Sequence, residues 1–157
     1  ALRPPPTVSI ATVPWVRNER SATAGLKTTS YADNVVALSW AKQRGAGEAV
    51  FANSAGRLCE GTGSNVFVVR KGRLLTPPLS SGCLAGITRA LVIEWCQAVE
   101  EDLPLQALDD ADEVFITSST RDVQAVTAVD GHAKQPGPLT AEAARVFSER
   151  SARDVDP

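Results

Sequence analysis

Four groups of residues stand out by type and spacing. Lys27 sits in Ala24-Gly25-Leu26-Lys27-Thr28-Thr29, and Glu60 in Cys59-Glu60-Gly61-Thr62-Gly63-Ser64-Asn65-Val66-Phe67. Gly86-Ile87-Thr88 follows Leu84-Ala85, and Thr117-Ser118-Ser119-Thr120 follows the apolar run Val114 to Ile116. A lysine amine can attack an aldehyde, and a carboxylate can keep a ring nitrogen protonated. Backbone N–H groups at a helix start, with hydroxyls nearby, can receive a phosphate. Together these are the groups needed to hold pyridoxal phosphate.

Each group also has a plainer reading. The small neighbours of Lys27 could hold its amine partly desolvated, and the positive end of a following helix would further disfavour the ammonium form; otherwise it is a surface lysine in a loop. Lys42, Lys71 and Lys134 fall in a helix, a Lys-Gly turn and just after an Asp-Gly turn, where solvated charge is ordinary. Glu60 ends a predicted strand, and the glycines after it leave space for close backbone approach; the alternative is a solvated turn glutamate. Thr88 is either a phosphate contact or a plain N-cap, and Thr117 to Thr120 either an anion site at a strand end or a polar turn. Arg89 and Arg121 flank these loops and are left out of the site as surface pairs.

The elements that must position these residues follow from periodicity and turn chemistry. Residues 1 to 7 are proline-rich and predicted to be extended. Val8 to Val16 is predicted as a strand ending near Pro14. Ser30 and Asp33 have the form of a capping box, with Tyr31, Val35, Leu38 and Lys42 on one helical stripe until Gly45. Glu48 to Asn53, Arg57 to Cys59, Val66 to Arg70 and Arg73 to Thr76 are predicted as strands of an antiparallel segment. Its turns are Ser54-Ala55-Gly56 and Lys71-Gly72. A helix beginning near Thr88 would place Ile87, Leu91, Trp95 and Val99 on the sheet. Val114 to Thr117 and Val123 to Val129 are predicted strands, Asp130-Gly131 a hairpin turn, and Thr140 to Arg150 a helix with Leu139, Ala143 and Phe147 inward. Residues 1–20 are expected to be a linker and entering strand, 21–150 the cofactor-binding domain, and 151–157 a frayed tail.

Composition narrows the function classes. The chain has 157 residues, 43% of them hydrophobic, and a net charge of -2. That suffices for one domain's core and offers no basic stripe for nucleic acid. Apolar runs fall far short of the ~20 residues of a membrane span, and a soluble, cytoplasmic protein is expected. Cys59, Cys83 and Cys96, with His132 as the sole histidine, support neither a disulfide framework nor a metal site and are expected to be buried free thiols. The chain lacks methionine and opens Ala1-Leu2-Arg3, so it is expected to be a piece of something longer.

The four ordered motifs, including Leu84-Ala85-Gly86-Ile87-Thr88-Arg89 and Ala111-Asp112-Glu113-Val114-Phe115-Ile116-Thr117 with its hydroxyls, closely resemble the class IV aminotransferase family, fold type IV of the pyridoxal-phosphate enzymes. The match runs from about residue 8 to 150. The resemblance implies an α+β C-terminal domain with a mainly antiparallel, barrel-like sheet and packed helices. It implies that Lys27 forms the Schiff base and shuttles protons, that Glu60 pairs with the pyridine nitrogen, and that Ile87, Thr88 and Ser119 match phosphate-binding positions, with Gly86 also cofactor-binding and Ser118 close by. It also implies that Tyr31 lies near the cofactor's phenolic oxygen, though four residues after the lysine where branched-chain enzymes have five. A preceding domain, a homodimer and a small-molecule amino substrate are implied as well. The segment Arg17 to Tyr31 is most similar to bacterial 4-amino-4-deoxychorismate lyases, which implies release of pyruvate and 4-aminobenzoate in folate biosynthesis. The other expectations are a branched-chain or D-amino-acid transaminase and a non-catalytic module.

Overall fold

The computed structural model describes residues 5–154, and the elements run in the order β1 (Thr7–Arg17), α1 (Ala32–Gln43), β2 (Glu48–Asn53), β3 (Leu58–Gly61), β4 (Asn65–Arg70), β5 (Arg73–Thr76), a 3₁₀ turn (Leu79–Ser81), α2 (Ile87–Cys96), β6 (Val99–Glu100), α3 (Ala107–Asp110), β7 (Glu113–Ser118), β8 (Asp122–Val129), β9 (His132–Ala133) and α4 (Pro138–Arg153). The strand order is β3-β2-β1-β8-β7-β4-β5-β6, and β3 also pairs with β4, so β3, β2, β1, β8, β7 and β4 close into a ring. Closure removes the exposed edges an open sheet would leave. The expected α+β, barrel-like architecture is present. Most pairings are antiparallel, but β1 runs parallel to both its neighbours, β2 and β8, and β5 runs parallel to β6.

The continuous apolar run of β4 shows why these strands do not alternate with polar residues: both faces are covered. Val66 and Val68 point into the barrel beside Val50, Val114 and Ile116, with Ala107 and Leu108 of α3 in the same cluster. Phe67 and Val69 point outward, where Val92 of α2 and Ala143 and Phe147 of α4 cover them. The Phe67 and Phe115 rings stack at 4.8 Å. On another face, Ala37 and Ala41 of α1 pack on Ala11, Val13, Ala49 and Phe51.

Several expectations need correction. β1 continues through Pro14 to Arg17, its register with β2 shifting between Thr12 and Val16; a strand tolerates proline at such an irregularity. Ser30 does not cap α1, whose N-cap is Tyr31 without a side-chain bond. The buried stripe of α1 is Ala37 and Ala41, while Tyr31 and Val35 are exposed, because small residues let the helix approach β1 and β2 closely. In α2 the buried residues are Thr88, Arg89 and Val92; Ile87 is exposed, and Val99 belongs to a strand. β3 runs past Cys59 through Glu60 to Gly61. Residues 151–153 are helical rather than frayed, and residues 1–4 of the linker and 155–157 of the tail lie outside the described residues. Lys134 is not simply solvated, since its Nζ donates to Asp109 O at 2.5 Å and Ala111 O at 2.7 Å. Cys59 and Cys83 are buried, as expected, and Cys96 is half-buried. No helix among the described residues is long and apolar enough to cross a membrane.

Candidate active site

A cavity of about 620 Å³ opens where the end of β1, the β3–β4 turn, the segment before α2 and the end of β7 converge. Lys27, Tyr31, Glu60, Gly86, Ile87, Thr88, Ser118 and Ser119, the whole expected set, line it. Lys42, Lys71, Lys134, Arg89 and Arg121 are not among the lining residues. The two arginines stay out of the cavity, but Arg89 is not the surface pair expected. Arg89 is buried against Pro77 O at 2.7 Å and Glu100, and Arg121 donates to Gln124 at 2.7 Å and lies 3.6 Å from Glu48.

Glu60 is aimed by its strand. β3 holds its backbone between Phe51 of β2 and Asn65 of β4. Its Oε2 accepts from the Leu84 N–H at 2.8 Å, and Arg17 Nε lies 3.2 Å from its Oε1. Burial pushes its carboxyl above the ordinary range, against the lowering pull of the Leu84 N–H and Arg17.

The turn after Glu60 is tied down from beneath. Glu48, fully buried at the start of β2, accepts from Thr62 N at 3.2 Å, from Ser64 Oγ at 3.1 Å and from the Thr62 hydroxyl. Gly61 N donates back to Ser64 O at 2.7 Å. Asn65 Nδ2 donates to Leu84 O at 2.8 Å, which fixes the segment leading into α2. A Cβ on Gly86 would come within 2.2 Å of Asn65 Oδ1, so close approach of the two segments requires glycine. Gly86 is itself the N-cap of α2, which leaves Thr88 inside the first turn and corrects the plain-cap reading of that residue. The first N–H groups of α2 have no partner within the helix. Thr117, opposite Asn65 across β4 and β7, is fully buried, yet its Oγ1 has no hydrogen-bond partner among the described residues.

The amine side differs. The segment from Asn18 to Tyr31 is held by turns, with Ser21 N donating to Asn18 O, Ala24 N to Ser21 O and Leu26 N to Thr23 O. Glu19 anchors it by accepting from Ser54 N at 2.9 Å and Ser54 Oγ at 2.6 Å. Lys27 itself is exposed, so the expected partial desolvation of its amine is not supplied by the described residues. Sequence reasoning missed Arg17 and Glu48, and named Thr117 only as part of the hydroxyl run at a strand end. A carboxylate heading the apolar run Ala49-Val50-Phe51, and an arginine closing β1, were the available signals.

With this geometry in view, the comparisons are specific. The amino-transferase class IV family model matches residues 1–129, and the chain belongs to that family. A Methanocaldococcus jannaschii protein provisionally named a branched-chain-amino-acid aminotransferase is 37% identical over 132 residues, 79% of this chain and 46% of that one. The crystal structure of a Thermobaculum terrenum branched-chain amino acid aminotransferase in its PLP form superposes with a TM-score of 0.86 at 31% identity, over 95% of this chain and 52% of that one. A Legionella pneumophila structure provisionally named 4-amino-4-deoxychorismate lyase gives 0.87 at 29% identity, over 91% and 56%. The matched part of the chain spans between a third and a half of the length of the curated relatives it matches.

Proposed function

We propose that this chain forms the pyridoxal-phosphate site of an enzyme acting on the amino group of a small-molecule substrate. The observation that carries this reading is the meeting of Lys27, Glu60 and the hydroxyl and amide groups of two loops in one cavity. The residues present fit the group. Thr117 Oγ1 is a buried hydroxyl lacking a partner, the α2 start offers free N–H groups, and Gly86 admits no Cβ. When bound, the cofactor supplies an electron sink for negative charge at the substrate carbon. Glu60 would hold the proton at the ring nitrogen, and the first turn of α2 with Thr88, Ser118 and Ser119 would orient the phosphate. Lys27 Nζ would hold the group at its aldehyde and, as a free amine, would carry the proton to and from the substrate. Tyr31, at the start of α1, is assigned to the phenolic oxygen.

The finer reading is a 4-amino-4-deoxychorismate lyase that releases pyruvate and 4-aminobenzoate, supported by the Arg17 to Tyr31 segment and the Legionella neighbour. The 37% identical relative favours a second reading, transamination of a branched-chain amino acid. The purified protein, loaded with cofactor, separates them. Pyruvate release from 4-amino-4-deoxychorismate without an oxo-acid acceptor is the expected result, and strict dependence on an acceptor rejects the lyase. A visible absorption band that borohydride bleaches, and that Lys27→Ala lacks, rules out a non-catalytic module.

A further inference from the structure

Arg17 enters the cavity from the last position of β1 and is held by three elements at once. Its guanidinium lies 4.1 Å from the centroid of the Phe51 ring on β2. Its Nη2 donates to Asn34 Oδ1 on α1, and its Nε sits 3.2 Å from Glu60 Oε1 on β3, as an ion pair rather than an aligned hydrogen bond. With its face on an aromatic ring and Nη2 committed to Asn34, the group is directed at Glu60 and is not free to swing toward the phosphate cradle.

We propose that Arg17 is a positioning residue for Glu60, keeping that carboxylate charged and turned into the cavity so that it meets a protonated ring nitrogen. The inference rests on the pyridoxal-phosphate reading above. Its physical basis is that a carboxylate moved out of water takes up a proton unless a cation opposes this. A neutral Glu60 would have no charge with which to hold a pyridinium. Leu84 N–H, on the segment before α2, helps through Oε2. Among the described residues, Glu48 on β2, Cys59 beside it on β3 and Cys83 before α2 also bear on Glu60, and Lys27 lines the same cavity from the loop before α1.

The test compares the purified protein with Arg17→Gln and Arg17→Lys. The first readout is affinity for pyridoxal phosphate and for 1-deazapyridoxal phosphate, in which CH replaces the ring nitrogen. Arg17→Gln is expected to weaken the first about tenfold and the second by less than about twofold, with Arg17→Lys recovering most of the loss. Equal losses for both ligands, or none, overturn the role of Arg17 while leaving the cofactor reading intact. If the unmodified protein binds neither ligand, the cofactor reading fails instead. The second readout needs no cofactor: the Glu60 carboxyl, followed by carbon NMR, should titrate about one pH unit higher in Arg17→Gln. An unmoved titration overturns the proposal. Should Arg17→Gln lose its cooperative melting transition, Asn34→Ala releases the clamp while keeping the charge, and about a threefold loss of selectivity for pyridoxal phosphate is expected; an unchanged ratio counts against the proposal.

Discussion

Glu60 and Lys27 line the same cavity, but one belongs to a strand of the closed barrel and the other to a loop held by turns. On the acid side, the polar groups of β3 and the turn after it are tied to other elements: Glu60 to Leu84 and Arg17, Thr62 and Ser64 to Glu48, Asn65 to Leu84. On the amine side, Lys27 is exposed, and its segment is joined to the barrel at Glu19 and Ser54. The contrast follows from the work proposed for each group. An acid opposite a ring nitrogen gains from being fixed before anything binds, whereas an amine that forms and breaks a covalent bond must change partners.

The sharpest attempt to break this contrast is Lys27→Ala. Turnover is expected to fall at least about a thousandfold, with the urea midpoint unchanged because the side chain is exposed. A lowered midpoint would mean that the loop carries stability after all. Glu48→Ala addresses the opposite side: leaving Thr62, Ser64 and Arg121 without their shared acceptor should cost about 3 kcal/mol of stability, read by denaturant unfolding. A loss below about 0.5 kcal/mol would show that the β3–β4 turn stands without its strut.

Thr117→Val gives a smaller effect. Its hydroxyl has no partner among the described residues, so stability should hold or rise, while affinity for pyridoxal phosphate falls about fivefold; equal affinity in the two proteins removes Thr117 from the site. The mildest prediction concerns Cys59, whose thiol is pushed up to about 12, first by burial and then by Glu60. The thiolate is the reactive form, and a raised value keeps the thiol protonated at pH 8. Mass spectrometry after alkylation of the native protein at that pH should find half-buried Cys96 modified and Cys59 intact, with Cys59 reacting only on unfolding. Early modification of Cys59 would indicate that the barrel wall beside Glu60 opens readily.

Local chemistry was legible in the chain to different depths. β2 and β5 match their predicted bounds. The turns at Gly56, Lys71-Gly72 and Asp130-Gly131 adopt the positive φ values their residues permit, and Gly45 ends α1 with its N–H on Lys42 O. Helix faces were harder to read, because Tyr31, Val35, Leu38 and Lys42 form a plausible stripe while packing selected Ala37 and Ala41. A hydrophobic period marks which residues could be buried, but the neighbouring sheet decides how close a helix comes and therefore which size of side chain lies beneath it.

The kinds of groups that meet in the cavity, and the motifs that deliver them, were present in the order of residues, since amine, acid and phosphate cradle each depend on a few adjacent positions. Their partners were not. Arg17 reaches Glu60, and Glu48 reaches Arg121, only after β1 has inserted between β2 and β8 and the ring has closed through β3 and β4. Contacts between distant segments are set by strand order and register, which emerge from packing the whole barrel at once. The burial that shifts Glu60 and Cys59 arises at that same step, because a charge loses its water only when several elements close over it.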